Sequence, residues 1–114
     1  MAITQLYSGT EAISTTEWSL TTDSSGPDSD TNVGCFQAFL DVSDMVNTDI
    51  LQIRVYEKVR SGDTQRIVYE AILQDAQSEP IWVSPTLILM HGWDVTCDAL
   101  AGTITVNWSI RQVT

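Results

Sequence analysis

The sequence predicts an all-β protein, a single antiparallel β-sandwich, jelly-roll-like, with about seven or eight short strands. Apolar and polar residues alternate in short runs along most of the chain, which is the pattern of half-buried strands. Residues that favour turns separate these runs at nearly regular spacing, and no stretch keeps a helical period for long. With 114 residues, the chain is expected to form one domain, 1–114, in which two sheets pack over their apolar faces.

The N-terminal residues carry the weakest strand signals. Residues 1–10 have scattered apolar side chains, so they are expected to be either an edge strand or an extended arm. Residues 11–22 are rich in Thr and Ser, which favours a strand with Trp18 and Leu20 on one face.

A polar loop is predicted over residues 23–34, where Gly-Pro, Asp, Ser and Asn crowd together. Within it, Asp28, Asp30 and Asn32 resemble the opening of a calcium-binding loop. The sixth position lacks the glycine of that motif and the twelfth lacks its glutamate. A solvated loop is therefore expected, with an irregular cation site as the alternative.

The next strand is predicted over residues 35–42. Its apolar face is expected to consist of Phe36, Ala38, Leu40 and Val42. Phe39 falls on the opposite face with Gln37 and Asp41, where a neighbour would have to cover the ring. The following connection, residues 43–47, is long enough for one helical turn.

The clearest element is a β-hairpin over residues 50–74. Two alternating runs flank Ser61-Gly62-Asp63, which supplies the reversal because glycine reaches positive φ and Asp and Ser bond their own backbone. Its inward face is predicted to contain Leu51, Ile53, Val55, Val59, Ile67, Tyr69, Ala71 and Leu73. A turn centred on the glycine predicts three cross-strand pairs: Val55–Tyr69, Leu51–Leu73 and Arg54–Glu70.

The C-terminal third predicts further strands. Residues 81–90 are apolar but contain Pro85, which lacks a backbone donor, so they form an edge strand or two short strands kinked at Ser84-Pro85. His91-Gly92 is expected to turn the chain before the last two strands. Their inward residues are predicted to be Trp93, Val95, Cys97, Ile104, Val106, Trp108 and Ile110. The core aromatics are predicted to be Trp18, Trp93 and Trp108.

Charge excludes some partners. The formal net charge is −10, and residues 1–53 contain no Lys or Arg. Such an acidic chain is repelled by phosphate backbones, so no nucleic-acid binding is expected. No run approaches the ~18 apolar residues of a spanning helix, so no membrane partner is expected. The first residues lack the pattern of a signal peptide, which favours synthesis in a cytoplasm.

No enzyme activity is predicted, because no catalytic motif is recognisable. Nucleophilic catalysis needs a nucleophile with a base in reach, but the single histidine, His91, lies in no triad motif. Without a GxGxxG motif or a P-loop, no cofactor is expected. Cys35 and Cys97 are expected to be buried free thiols, with a disulfide as the alternative. Too few ligands are present for a structural zinc site, so no metal is expected.

Three segments give the chain a family resemblance. RVYEKVRSGDTQRIVYEAIL, PIWVSPTLILMHGWDVT and the final GTITVNWSIRQV resemble short proteins encoded among the virion genes of tailed bacteriophages. The likeness covers residues 35–114. It implies a structural role, namely a capsid decoration or cement protein that binds the major capsid protein in the virion and commonly assembles as a homotrimer. It implies no active-site residues.

Candidate interface residues follow from charge and from misplaced aromatics. A basic strip on the central hairpin is expected to dock acidic surfaces of a neighbouring subunit. Aromatic side chains that fit poorly in one small core are expected at the contacts between subunits. The full candidate set is Tyr7, Phe39, Arg54, Lys58, Arg60, Arg66 and Trp82. A carbohydrate-binding module, with Trp82 as an aromatic platform, is the alternative function, and another small virion component, for head completion or the tail, is a further one.

Overall fold

The computed structural model describes residues 1–114 and contains strands but no helix. There are ten strands, more than the seven or eight predicted, because a two-residue strand lies within the predicted loop 23–34 and residues 81–90 form two short strands, one of the two alternatives expected there. The strands are β1 (Ile3–Ile13), β2 (Trp18–Ser19), β3 (Ser24–Ser25), β4 (Gly34–Asp41), β5 (Ile50–Glu57), β6 (Arg66–Gln74), β7 (Ile81–Val83), β8 (Leu87–Leu89), β9 (Asp94–Ala101) and β10 (Ile104–Val113).

Two five-stranded antiparallel sheets form the predicted sandwich. Sheet A has the order β1-β10-β4-β7, with β8 also paired to β4, and sheet B has the order β3-β2-β9-β5-β6. If β7 and β8 count as one interrupted strand, and the small antiparallel hairpin β2–β3 counts as one element, the sheets read 1-8-3-6 and 2-7-4-5 in chain order. Almost every connection therefore crosses between the sheets, which is the jelly-roll arrangement.

The core lies between the sheets and contains 19 buried side chains. Burial alternates along β4 and β10 as the sequence predicts, with Phe36, Leu40 and Ile110 almost inaccessible. Gly9 of β1 lies opposite Trp108, and a Cβ at this glycine would sit 2.5 Å from the indole ring. The absence of a side chain at Gly9 therefore lets the tryptophan ring close this corner of the core.

The central hairpin has the predicted register. All three expected cross-strand pairs are present: Leu51–Leu73, Val55–Tyr69 and Arg54–Glu70. A bulge follows, so Ile67 pairs with Tyr56 and lies on the outer face, contrary to the prediction. β5 ends at Glu57, which leaves Val59 in the connection and exposed instead of inward.

Several other assignments are confirmed. Residues 1–10 belong to the edge strand β1, and the segment around Ser84-Pro85 is interrupted into β7 and β8, both at the edge of sheet A. The hydroxyl of Ser84 accepts the N–H of Ala38 at 2.9 Å, which replaces a ladder bond where the strand is broken.

Two further local predictions are wrong, and one possibility that the sequence left open is not realised. Residues 11–22 do not form one strand, because β1 ends at Ile13 and the chain turns before the two-residue β2. Trp18 is half-buried, with its N–H donated to Asp23 at 3.0 Å, so only Trp93 and Trp108 are core tryptophans. Residues 43–47 form turns and no helix. The side chain of Asp49 accepts the N–H of Val46, which stabilises this turn conformation.

Candidate functional site: two outer faces of the sandwich

The outward side chains of sheet A form a surface that we call the neutral face. Its larger apolar members are Ile3, Cys35, Phe39, Ile81, Val83, Ile88 and Val113, and its charged members are Asp41 and Arg111. Glu11 is the one other charged residue in the strands of this sheet, and it pairs with the core residue Val106 and so points inward. One acid and one base thus leave this face without net charge in a chain of net charge −10.

An apolar row crosses four strands at one end of the neutral face. Ile3 pairs with Val113, Val113 with Cys35, and Cys35 with Ile88. Cross-strand partners share a face, so these side chains are neighbours. Ile3 is 66% exposed, Val113 39% and Ile88 80%, which means that nothing within the chain covers the row.

A shallow cavity of about 220 Å³ marks the other end of the neutral face. Phe39 forms one wall, with the guanidinium carbon of Arg111 lying 3.8 Å from the centre of its ring. Phe39 also pairs with Val83, whose side chain is 42% exposed. The predicted outward position of Phe39 is therefore correct, and the cation partly covers the ring.

The outward side chains of β5, β6 and β9, with Glu17 ahead of β2, form the opposite surface, which we call the charged face. Arg54 forms an ion pair with Glu70 at 3.0 Å and lies 3.9 Å from Glu17. Glu17 also accepts hydrogen bonds from the hydroxyl of Thr96 at 2.6 Å and from Tyr56 at 2.5 Å. These charged and polar groups bond to one another within the chain, so they do not depend on a partner for their hydrogen bonds.

Two buried acceptors on the charged face lack a donor. Gln52 and Asp98 are cross-strand partners, and neither Oε1 of the first nor Oδ1 of the second has a hydrogen-bond partner. Burial raises the pKa of Asp98, and the charge of Arg54 opposes this shift. Both atoms are inaccessible to solvent, so a ligand cannot reach them in this arrangement.

The loop at 23–34 is held against the charged face by a buried carboxylate. Asp94 has no exposed surface and accepts the hydroxyls of Ser19 at 3.0 Å and Thr21 at 2.8 Å. It also accepts the backbone N–H groups of Asp28 at 2.8 Å and Val95 at 2.9 Å. Burial nevertheless raises the pKa of Asp94, because the desolvation of the carboxylate outweighs these bonds.

Further contacts hold the same loop at its other end. Backbone bonds join Asp30 to Trp93, whose indole N–H also reaches the carbonyl of Asn32 at 2.7 Å. The hydroxyl of Tyr7 donates to Asp30, and burial together with this bond raises the pKa of Tyr7 to about 12. The loop is therefore a packed part of the fold, which sequence patterning alone did not reveal. Tyr7, one of the candidate interface residues, thus uses its hydroxyl for a bond within the chain.

The basic strip is dispersed in the structure. Arg54 lies within the charged face, whereas Lys58 and Arg60 lie in the connection after β5. Arg60 pairs with Asp63 at 3.1 Å, and the aliphatic stem of Lys58 lies over Gly92. Arg66 is exposed at the start of β6, beside a cavity of about 540 Å³ under the hairpin loop.

Trp82 lies on the inward side of β7. It pairs with the buried Leu40 and packs half-buried against the core, while its neighbours Ile81 and Val83 point outward. Its ring is therefore part of the core rim, which removes the platform that the carbohydrate hypothesis needed. Ile81 and Val83, which the sequence reasoning did not select, occupy the exposed positions instead.

One cavity brings serine, lysine and histidine side chains together, but without the hydrogen bonds that catalysis by such residues requires. A cavity of about 270 Å³ is lined by Ser29, Ser61, Lys58 and His91, but no hydrogen bond joins the His91 side chain to either hydroxyl. Nucleophilic catalysis requires that contact. No group of three or more His, Cys, Asp or Glu side chains is placed to hold a metal ion.

Both cysteines are free, so there is no disulfide. Cys97 is buried as predicted, and burial raises its pKa, whereas Cys35 is only half-buried because it points outward in the apolar row. The structure has no helix of the length and apolar character needed to cross a membrane. Neither the family models nor the curated proteins compared with this chain give a match.

Proposed function

We propose that this protein is a structural component of a tailed-phage virion, an auxiliary decoration or cement protein that binds the major capsid protein. The neutral face is the observation that carries the proposal. The resemblance of residues 35–114 to phage virion proteins supports it and supplies the partner. The protein is synthesised in the host cytoplasm and acts at the capsid surface.

The neutral face suits docking because its burial requires little desolvation of charge. Charged residues are depleted at the centres of protein interfaces, since burying an unpaired ion is unfavourable. The apolar row Ile3–Val113–Cys35–Ile88 gives this face exposed hydrophobic area, and Phe39 adds an aromatic side chain. Docking through sheet A would leave the charged face and the acidic loops in solvent.

The size of the neutral face fits a specific contact. Strands lie ~4.8 Å apart and rise ~3.3 Å per residue, so four strands of about eight residues project onto roughly 500 Å². Because side chains corrugate the sheet, the accessible area exceeds this projection and approaches the ~800 Å² that each partner buries in a standard interface. On the particle, three copies around a lattice axis would repeat this contact, which is the arrangement the resemblance implies.

The proposal is tested with purified virions and capsid shells of the phage that encodes the chain. Mass spectrometry should recover the protein at a copy number comparable to that of the capsid protein. Recovery of only a few copies would favour a head-completion or tail component, and absence from the particle would refute the proposal.

A matched pair of variants tests the docking face. Ile88→Lys places a charge in the apolar row and should weaken binding to shells roughly tenfold or more, because the ammonium must be desolvated or left unpaired. Ile72→Lys, on the edge of sheet B, is the control and should bind as the wild type does. Equal binding by Ile88→Lys and wild type would exclude the neutral face as the contact.

A further inference from the structure

The sandwich has four sheet edges, and three of them are protected against pairing with another strand. β3 has two residues, and β7 and β8 have three each with Pro85 between them. The edge strand β1 contains a bulge between Gln5 and Tyr7 and carries Glu11 pointing inward. Short strands, proline, bulges and inward charges are the features by which natural proteins block edge-to-edge association.

The fourth edge, β6, is open over residues 69–74. The bulge near Val68 interrupts the strand before this segment, but the six residues that follow contain no Pro, Gly, bulge or inward charge. The one charged residue there, Glu70, points outward and is neutralised by Arg54. No backbone hydrogen bond joins this segment to any element other than β5. Apart from the carbonyl of Gln74, which accepts the side-chain amide of Gln77 at 2.8 Å, the outer row of N–H and C=O groups of this segment is available for pairing.

The core beneath this edge is incompletely covered. Tyr69, Ala71 and Leu73 point inward, yet all three are only half-buried. Their partners on β5 include Leu51 and Val55, which have no exposed surface. The difference arises because no strand flanks β6 on its outer side and the nearby edge of sheet A is short. A strand added beside β6 would bury the remaining flank of these side chains.

We propose that the open segment of β6 pairs with β6 of a second copy of this chain, antiparallel about a two-fold axis at Ile72. An axis at Glu70 would oppose two carboxylates, and an axis at Ala71 would set Glu70 against Ile72. An axis at Ile72 sets Ile72 against its own copy, Glu70 against the amide of Gln74, and small Ala71 against large Leu73. This register pairs like with like on the outer face and fills space on the inner one.

The pair is independent of the proposed virion role, because it uses the edge of sheet B and leaves the neutral face free. A strand pair of about five residues buries less than the ~1,200 Å² of a stable interface, so association is weak and depends on concentration. The dimer belongs to the free protein, and trimer formation belongs to the particle.

Light scattering with size-exclusion chromatography of the whole protein over a range of concentrations gives the first test. The wild type should shift from monomer toward dimer as concentration rises, and Ile72→Lys should remain monomeric, since lysine on an edge strand blocks pairing. Ile88→Lys, which alters the neutral face, should dimerise as the wild type does. A wild type that stays monomeric, or a dimer that Ile88→Lys abolishes and Ile72→Lys does not, would overturn the proposal.

The register is tested by cross-linking in a Cys35→Ser background, where the remaining cysteine, Cys97, is buried. Ile72→Cys should give a disulfide-linked dimer with diamide as the oxidant, because the axis brings the two thiols opposite each other. Val68→Cys, equally exposed on the same strand, should not. Equal cross-linking of both variants would exclude the axis at Ile72. A wild-type protein that forms the dimer but does not bind capsid shells would refute the virion role and leave the dimer proposal standing.

Discussion

The two outer faces of this sandwich differ in how the rest of the chain covers and bonds their outward side chains. On the charged face, Arg54 is surrounded by carboxylates, and a loop covers the buried Asp94. On the neutral face, no loop covers the sheet, and Ile88 and Ile3 lie bare. Most polar groups of the charged face are hydrogen-bonded within the chain, although Oε1 of Gln52 and Oδ1 of Asp98 are not, whereas the neutral face combines exposed hydrophobic area with little charge. This difference in bonding within the chain is what supports the proposal that the neutral face is the docking surface.

The difference between the two faces is tested most strongly by a substitution at Asp94, where the largest loss of stability is expected. Asp94→Ala leaves the N–H groups of Asp28 and Val95 without their acceptor, and the hydroxyls of Ser19 and Thr21, 3.2 Å apart, can then satisfy only one donor between them. Each unsatisfied donor costs about 1–3 kcal/mol, partly offset by removal of a buried charge, so we expect unfolding to become easier by roughly 3 kcal/mol. Urea unfolding measures the change.

The control for Asp94 is the carboxylate of the opposite face. Asp41→Ala should leave the free energy of unfolding nearly unchanged, as for most surface substitutions. Equal losses in the two variants would show that the charged face is no more integral to the fold than the neutral face.

The faces should also respond to pH with opposite signs. Burial raises the folded-state pKa of Asp98, so folding takes up a proton and this group's contribution falls as pH rises between the unfolded and folded values. Hydrogen bonds from Ser43 lower the pKa of Asp41, so its contribution is present above the unfolded pKa and is lost as pH falls through the folded one. Unfolding free energies between pH 3 and 7, a range around the ordinary aspartate pKa of ~3.9, measure both effects.

The two Asp-to-Asn variants separate these contributions. Asp98→Asn should make the gain of stability with rising pH steeper, whereas Asp41→Asn should make it shallower. A change of slope in the same direction for both variants would contradict the difference between the faces.

The smallest expected effect is the ion pair across β5 and β6. A double-mutant cycle of Arg54→Ala and Glu70→Ala should give a coupling of ~0.2–1 kcal/mol, because both side chains retain contact with water. High salt should reduce it. A coupling of several kcal/mol would mean that the pair is a desolvated anchor of the charged face.

Part of the candidate site was predictable and part was not. The outward position of Phe39 follows from alternation in one strand, and so does the pairing of Arg54 with Glu70 within one hairpin. The apolar row was missed because its members come from four strands distant in the chain, and each looks unremarkable in its own segment. Ile88 and Val113 become neighbours of Cys35 only through non-local pairing.

The sequence by itself determined the fold class, the faces of the long strands and the register of the hairpin, because alternation and turn chemistry act within a few residues. Only the tertiary structure decided what lies over those strands. Asp94 lies on the outer face of β9, and its carboxylate is buried only because the loop of residues 23–34 folds over it; the bulge near Val68 places Ile67 on the outer face. Side-chain direction is a local property of the backbone. Burial depends on which distant segment of the chain packs over the side chain, and local sequence patterns do not contain that information.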